Sequence, residues 1–456
     1  MFTKQPVLPI KNNLSTALKA ALVIALIIPF TAIAEETTRI SLSSKGKQGN
    51  GRSWHPAISA DNRYVVFSSE ASNLVPNDTN FSPDIFVHDR LTKKTRRVNV
   101  TSDGKQSEST WQSHSTISSN GRYVAFTSQA NNLVPGDTNN AYDVFVHDLK
   151  TKETSLISVS SDGTQHVGDG EYYWWGGLPS LSGDGRYVAF WSNASNLVDG
   201  DTNQIGDIFV HDRKAKTTVR ISVSSKGAQA NKASSKLKLS DNGRYVAFQS
   251  EADNLVKGDT NDREDIFVHD RETKETTRVS VATDGTQANN GSWSPVISAD
   301  GRYVAFWSAA STLVANDTNV TDDIFVHDRV THETKRVSVA SDGSQGDKSS
   351  TRPSISADGR YIGFDSASTN LAANDDNGDV DVFVHDQVTG TTKLVSVTLD
   401  GTSGTGPGAL AGANNTNGSR DAIISPDGQY MAFRSLVTDL VPNDTNEEID
   451  VFLRKF

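Results

Sequence analysis

Charged and imidazole side chains, the groups that bind ligands and move protons, recur at one position of a repeated unit in this chain. The position lies three residues before a repeated aliphatic residue, and its residue type changes from copy to copy. In chain order it holds His55, His114, Leu178, Lys236, Ser294, Arg352 and Asp421. The preceding position adds Trp54, Trp293 and Arg420. Polar residues that differ at a fixed position of a repeat predict a ligand site, and ordinary variation of a solvated loop is the alternative.

A run of aromatic residues marks the third copy. It reads Tyr172, Tyr173, Trp174 and Trp175, with glycines on both sides. Four consecutive aromatic side chains cannot all point into one core, so the run predicts a platform on which sugars or aromatic ligands stack. A loop that packs over its neighbour is the alternative.

Seven short loops carry carboxylate and amide side chains at a fixed spacing, first Asp, then Asn two residues later, then Asp four residues after that. Hard oxygen ligands at this spacing could hold a structural Ca²⁺ ion. Alternatively, the carboxylates accept backbone N–H bonds in Asx turns. The seven sets are Asp78, Asn80 and Asp84; Asp137, Asn139 and Asp143; Asp201, Asn203 and Asp207; Asp259, Asn261 and Asp265; Asp317, Asn319 and Asp323; Asp375, Asn377 and Asp381; and Asp444, Asn446 and Asp450.

Two other repeated polar positions indicate scaffold. Six histidines stand in the middle of the string Val-His-Asp, one in each of six copies, and are too dispersed to share a metal ion; they are His88, His147, His211, His269, His327 and His385. Six glutamines of a Gly-x-Gln string are predicted to brace loops; they are Gln48, Gln106, Gln165, Gln229, Gln287 and Gln345.

The elements that must position these residues come from the repeat itself. The string Asp-Ile/Val-Phe-Val-His-Asp begins at Asp84 and returns at intervals near 58 residues, with a degraded seventh copy at Asp450. Each unit contains four short runs of β-branched and aromatic residues separated by turn residues, which indicates the four antiparallel strands a to d of a propeller blade. Seven units predict an all-β, seven-bladed β-propeller.

The two ends of the chain predict how the ring closes. The last unit ends at Phe456 without a strand d, and 37–41 match the strand d of another unit, 276–280. An N-terminal strand that completes the last blade would remove the exposed edges of an open sheet. All length variation among the units falls between strand d and the next strand a, so we expect function on the face that carries the d–a and b–c loops.

The first 34 residues are predicted to be a signal peptide rather than part of the fold, leaving 35–456 as a single propeller domain. Lys4, Lys11 and Lys19 precede an apolar run, 20–30, and small residues before Glu35 suit cleavage. An uncleaved anchor is the alternative, but the run is short for a bilayer. The sequence therefore predicts that the protein is exported, either to the periplasm or to the cell surface or the medium.

Composition excludes several functions. The chain has 456 residues, no cysteine and a formal charge of −11. Without cysteine it has no disulfides, thiolate zinc sites or thiol nucleophile. The acidic balance argues against nucleic acid as a partner and against an anionic membrane surface.

The string Ser298-Ala-Asp-Gly-Arg-Tyr-Val-Ala-Phe306, followed by Asp323-Ile-Phe-Val-His-Asp328, resembles the WD-like repeats of TolB-type β-propellers. The resemblance covers essentially all of the chain after residue 35. It implies the fold but no single activity, because such propellers include binding platforms, peptidase gating domains and some polysaccharide lyases. The chain differs from TolB in having seven units and no separate N-terminal α/β domain, so a role in the Tol system is not implied.

Two functions of different classes fit these residues. The first is a secreted, non-catalytic propeller that binds a glycan or a protein on the d–a and b–c loop face. The second is a lyase acting on a uronic-acid polymer, with His55 or His114 as the base and Tyr172 or Tyr173 as the acid. Arg352 or Lys236 would neutralise the substrate carboxylate. A hydrolase has no support, because no nucleophile elbow is present.

Overall fold

The computed structural model describes residues 1–3, 36–108, 115–167, 179–404 and 418–456. The chain divides into two units, Met1–Glu35 and Glu36–Phe456, and every described strand lies in the second. The described residues of that unit form seven four-stranded antiparallel sheets, each built from strands that are consecutive in the chain except at the closing blade. The seven-bladed β-propeller predicted from the repeat is therefore confirmed.

The strand bounds follow the predicted pattern of four strands in each blade. Blade 1 contains β2 (Ser53–Ile58), β3 (Tyr64–Ser69), β4 (Asp84–Asp89) and β5 (Lys94–Arg97). Blade 2 contains β6 (Ser115–Ile117), β7 (Tyr123–Ser128), β8 (Asp143–Asp148) and β9 (Thr154–Leu156). Blade 3 contains β10 (Ser180–Leu181), β11 (Tyr187–Ser192), β12 (Asp207–Asp212) and β13 (Thr217–Arg220). Blade 4 contains β14 (Ser234–Leu239), β15 (Tyr245–Ser250), β16 (Asp265–Asp270) and β17 (Thr276–Arg278).

The remaining blades complete the ring. Blade 5 contains β18 (Ser292–Ile297), β19 (Tyr303–Ser308), β20 (Asp323–Asp328) and β21 (Glu333–Arg336). Blade 6 contains β22 (Ser350–Ile355), β23 (Tyr361–Ser366), β24 (Asp381–Asp386) and β25 (Thr391–Leu394). Blade 7 contains β26 (Ser419–Ile424), β27 (Tyr430–Ser435) and β28 (Asp450–Lys455), and its fourth strand is β1 (Thr37–Arg39). Strands a of neighbouring blades contact one another all round the ring, so they surround the central axis.

The core lies between consecutive blades. In blade 5, Phe306 of strand b and Phe325 of strand c are opposite each other in the antiparallel register and stack with ring centroids 6.1 Å apart. Both are fully buried, and they pack with Ile266 and Val268 from strand c of blade 4. Each blade buries an equivalent pair of phenylalanines, which explains why strands b and c consist mainly of apolar residues without strict alternation.

The a–b turn shows why its sequence repeats. The hydroxyl of Ser298 donates to Asp300 at 2.7 Å and accepts the backbone N–H of Tyr303 at 2.9 Å. Gly301 has φ of +82°, and a Cβ atom there would lie 2.1 Å from the Tyr245 ring of the preceding blade. The string therefore both makes the turn and allows the close approach of two blades.

The N-terminal strand closes the ring as predicted. Thr38 of β1 is paired with Leu453 of β28, and the N–H of Ile40 donates to Val451 at 2.8 Å. The buried Ser41 hydroxyl donates to the carboxylate of Asp450. One blade is thus assembled from the two ends of the chain, with β1 as the outer strand that covers β28.

Candidate functional site

The variable position identified in the sequence is a β-bulge at the beginning of strand a. In blades 1, 4, 5, 6 and 7 the register between strands a and b shifts across this position. The bulged residues adopt left-handed backbone angles, with φ of +50° at His55, +46° at Lys236, +50° at Ser294, +52° at Arg352 and +59° at Asp421. Non-glycine residues occupy this region at a cost of about 1 kcal/mol or more. Bulges re-aim side chains beside functional sites, and five of them surround this axis.

A second variable ring lies on strands b, opposite the residue that precedes each bulge, and sequence reasoning missed it. It occupies the residue after the repeated Phe of strand b, in a string that is otherwise nearly invariant. Its members are Ser68, Thr127, Trp191, Gln249, Trp307, Asp365 and Arg434. In the register, Trp293 is opposite Trp307, Thr351 is opposite Asp365 and Arg420 is opposite Arg434. The sequence does show this ring, as the most variable residue x in the repeated string Tyr-Val-Ala-Phe-x-Ser.

We call this region the axial mouth. It comprises the bulged ends of strands a and the facing residues of strands b, with these members used below: Trp54, His55, Lys236, Trp293, Trp307, Arg352, Asp365, Arg420, Asp421 and Arg434. His114, Tyr172, Tyr173, Trp174 and Trp175 of the predicted site lie outside the described residues.

The strand b side chains hold the bulges of the following blade. Gln249 accepts the N–H of Ser294 at 3.2 Å. Asp365 accepts two N–H groups, from Asp421 at 3.0 Å and from Ala422 at 3.2 Å. These contacts satisfy backbone donors that the bulges remove from the strand ladder. The two variable rings therefore form one structure.

An ion network joins blades 6 and 7. Arg352 lies 3.5 Å from Asp365 and 3.8 Å from Asp421, and the Nε of Arg434 donates to Asp421 at 2.6 Å. Burial raises the pKa of Asp365, which is only 1 % exposed, to about 6. Burial alone would raise the pKa of Asp421 as well, but the charges of Arg434, His55 and Arg352 keep it below its usual value. Both acids are thus tied to cations of the protein.

Two further cations, Lys236 and Arg420, lie at the axial mouth. Burial lowers the pKa of Lys236, and the positive charge of Arg352, two blades away, lowers it further. Burial also lowers the pKa of Arg420, and repulsion by Arg352 and Arg434 contributes. Asp365 and Asp421 act on this pKa in the opposite direction. The Nε atom of Arg420 is buried without a hydrogen-bond partner among the described residues. Repulsion between cations in a confined region is relieved by an anion, so the axial mouth is electrostatically suited to a negatively charged ligand.

Aromatic rings lie beside these cations. The indoles of Trp293 and Trp307 are stacked, with centroids 4.4 Å apart and planes 29° apart. In blade 1 the Trp54 ring meets the His55 ring edge to face at 6.4 Å. All four side chains are half-buried. Cations together with half-buried indoles can bind a ligand that has both a carboxylate and an apolar face.

The repeated histidines have the structural role that the sequence predicts. In blade 5 the ring of His327 lies 2.9 Å from the Thr334 hydroxyl, which itself donates to the carbonyl of Val281 at 2.5 Å. Because that hydroxyl proton is already used, Nδ1 of His327 is the donor to Thr334. Burial lowers the pKa of His327 to about 4, so the imidazole is neutral at pH 7. The other five histidines make the same 2.9 Å contact with a threonine.

In five b–c loops the carboxylates are neutralised within the protein. In blade 4, Arg278 lies 3.1 Å from Asp259 and 3.4 Å from Asp265, and the Gln287 carboxamide donates to both acids. Asn261 forms the Asx turn, its oxygen accepting the N–H of Arg263 at 3.1 Å. The glutamines are therefore the loop braces predicted. Among the described residues, no group of three or more His, Cys, Asp or Glu side chains is arranged to hold a metal ion.

Comparisons with known proteins identify the architecture but no family. No protein-family model and no curated protein matches the chain. An oligogalacturonate lyase solved in complex with manganese is similar at a TM-score of 0.55 and 12 % identity, covering 93 % of this chain and 94 % of that one. The oligogalacturonate lyase of Vibrio parahaemolyticus gives 0.54 and 11 %, with the same coverage. At such identities these similarities establish a shared fold.

A TolB structure also aligns, from Acinetobacter baumannii, at a TM-score of 0.39 and 13 % identity over 75 % of this chain and 62 % of that chain. That score is too low to support an argument, so TolB-type membership remains a resemblance of the repeat string. Within the described part of the chain, no helix has the length and apolar character needed to cross a membrane.

Proposed function

We propose that this protein is a binding module whose axial mouth holds a carboxylate-bearing glycan, of the uronic-acid class. The observation that carries the proposal is Arg420, a half-buried cation whose Nε atom has no hydrogen-bond partner among the described residues. Arg352 and Arg434 repel it, and Asp365 and Asp421 attract it. The chain as a whole carries a charge of −11, so this concentration of positive charge is opposite to the rest of the molecule. A cleft of one sign attracts ligands of the other.

A uronic acid matches both components of the mouth. The planar guanidinium of arginine binds a carboxylate with two parallel hydrogen bonds. The C–H face of a sugar ring packs on an indole, which Trp54 and the Trp293–Trp307 pair present. We include the aromatic run 172–175 in the proposed sugar-binding surface because its sequence predicts a stacking platform. Export, supported by the signal-like first 34 residues, would bring the protein to extracellular or periplasmic polysaccharide.

Isothermal titration calorimetry with three related polymers tests the proposal. Oligogalacturonate carries the carboxylates, and its methyl ester carries the same sugars without charge. A neutral glucan has neither the carboxylates nor the galacturonate sugars. We expect binding of oligogalacturonate that weakens as salt rises, at least tenfold weaker binding of the ester, and no binding of the glucan. Equal affinity for the acid and the ester would contradict the proposal.

A lyase is the second candidate, and one observation favours it. The charge of His55 lowers the pKa of Asp421, and Asp421 is also contacted by Arg352 at 3.8 Å. Removal of a proton next to a uronate carboxylate needs a base such as an imidazole and a cation on the carboxylate. Two lyases that act on oligogalacturonate share the fold, which makes this substrate the first to try.

The two functions are separated by ultraviolet absorbance. A lyase produces an unsaturated uronide that absorbs, whereas a binding module leaves the absorbance unchanged over hours. The assay should be repeated with added manganese, because one of the similar lyases was solved with that metal. If absorbance rises, His55→Ala should lower the rate by about 10²- to 10⁴-fold.

A further inference from the structure

Two b–c loops, in blades 2 and 6, depart from the charge pattern of the other five, and the blade 6 loop departs further. In five blades a strand d arginine bridges the two acids of the loop, with nearest distances of 3.1 to 3.4 Å. The pairs at these distances are Arg39 with Asp444, Arg97 with Asp84, Arg220 with Asp201, Arg278 with Asp259 and Arg336 with Asp317. These arginine side chains are only 7 to 11 % exposed, so each places a buried positive charge between two buried carboxylates.

Blade 2 lacks the arginine and replaces it. Leu156 occupies the strand d position, opposite Phe145. The Nε2 atom of His166 lies 3.1 Å from Asp143, and Gln165 still donates to both acids of the loop. The blade 2 loop therefore keeps the glutamine contacts and has an imidazole beside Asp143.

Blade 6 has none of these partners. Leu394 stands at the arginine position, opposite Phe383, and Ser403 stands where the other blades have glutamine. The Ser403 hydroxyl donates at 3.0 Å to Asp376, a different acid. Asp375, equivalent to the glutamine-bound aspartates, is 7 % exposed, and its Oδ1 atom has no hydrogen-bond partner among the described residues. In the other six blades that Oδ1 atom accepts the glutamine amide.

The surroundings of this oxygen are acidic. Asp381 is buried, with one oxygen accepting from Ser396 at 2.6 Å and the other from Asn377 at 2.9 Å. Asp376 and Asp379 belong to the same loop, giving the string Asp-Asp-Asn-Gly-Asp-Val-Asp. A buried carboxylate needs a counter-charge. Here Leu394 replaces the strand d arginine. Lys348 lowers the pKa of Asp375, but by less than each of three acids raises it, namely Asp381, Asp376 and Asp347.

We propose that the blade 6 loop binds a divalent cation of the calcium type, held by Asp375 and Asp381 in the space that arginine and glutamine fill elsewhere. All available ligands are hard oxygens, which calcium prefers. Two buried carboxylates do not make a closed site, so backbone carbonyls and water must supply the remaining ligands. Such open sites bind calcium at about 10⁻⁴ to 10⁻³ M, the range of extracellular modules. The inference is independent of the glycan proposal.

Thermal unfolding of the full chain in chelator and in 10 mM CaCl₂ at pH 8 tests the site. Calcium that binds only the folded state should raise the melting temperature by about 2 °C for a millimolar site in a protein of this size. Asp375→Asn should abolish that rise. Asp259→Asn, the equivalent change in blade 4 where Arg278 neutralises the loop, should leave the rise unchanged.

A second variant keeps the test decisive if Asp375→Asn folds poorly. Leu394→Arg with Ser403→Gln installs the blade 4 partners, and we expect stability in chelator to rise and the calcium response to disappear. The competing explanation is that Asp375 simply binds a proton. At pH 8 the Asp375 carboxyl is ionised, so a proton does not compete with calcium there. If wild-type protein shows no calcium response at this pH, the proposal is overturned. A response that persists in Asp375→Asn would overturn it equally.

Discussion

The carboxylate of Asp365 in blade 6 accepts the backbone N–H of Asp421 in blade 7 at 3.0 Å, while Arg352 contacts both carboxylates. One buried acid therefore fixes the bulge that carries the next acid and also holds the cation between them. The axial mouth is built by strand b of one blade and strand a of the next, so its geometry depends on closure of the whole ring.

This relationship predicts a graded series of stabilities. Asp365→Ala removes the acceptor of two buried N–H groups and should destabilise the protein by on the order of 2 kcal/mol or more. Gln249→Ala removes the acceptor of one backbone N–H group and should lower the free energy of unfolding by less. Ser68→Ala is the control, because the Ser68 hydroxyl has no partner among the described residues. Chemical denaturation measures the order, and an Asp365→Ala variant as stable as Ser68→Ala would contradict it.

Deletion of 36–44 tests ring closure. Without β1 and Ser41, strand β28 loses its outer neighbour and Asp450 loses a buried donor. We expect a lower melting temperature and concentration-dependent aggregation through the exposed edge. Light scattering during a thermal ramp follows both effects. A deletion variant that melts like the full protein and stays monomeric would argue against the split blade as the closure.

The buried histidines predict a specific pH dependence. The pKa of His327 is about 4 in the folded protein, lowered by burial and then by His332, against 6.5 in the unfolded chain. The unfolded state therefore binds more protons between these values, and the stability due to the neutral ring falls as pH drops from about 6.5 to 4. Comparison with His327→Asn isolates the effect. The stability difference between wild type and variant should shrink over this range, and a constant difference would contradict the assignment.

The fold could be predicted from the sequence because the same four-strand pattern occurs in seven copies. Four short strands per unit, a turn that needs Gly301 and a strand d displaced to the N-terminus leave one architecture. His55, Lys236, Arg352 and Asp421 of the axial mouth could also be found, since they interrupt a pattern. Their left-handed backbone could not be predicted, because a bulge forms through the register of two strands.

The second ring was missed for a physical reason. Asp365 and Arg434 lie within strand b, whose neighbouring residues are buried, and strand alternation alone assigns them to the core. Only the bulge in the facing strand brings them into contact with the axial residues. The departure of the blade 6 loop is visible in the sequence, where Leu394 and Ser403 replace arginine and glutamine. Its consequence for the two acids could be recognised only from the ion pairs in the other blades.

The most direct test of the central claim is the affinity of the Arg420→Gln variant for oligogalacturonate, measured by calorimetry at low salt. When Arg420 is replaced, Arg352 and Arg434 still contact Asp365 and Asp421, so neither carboxylate loses its direct ion pair. Arg52→Gln is the matched control, with the same change of charge at a side chain that is 62 % exposed. The account predicts at least tenfold weaker binding by Arg420→Gln and little change in Arg52→Gln. Equal affinities for the two variants and the wild type would contradict an anionic site at the axial mouth.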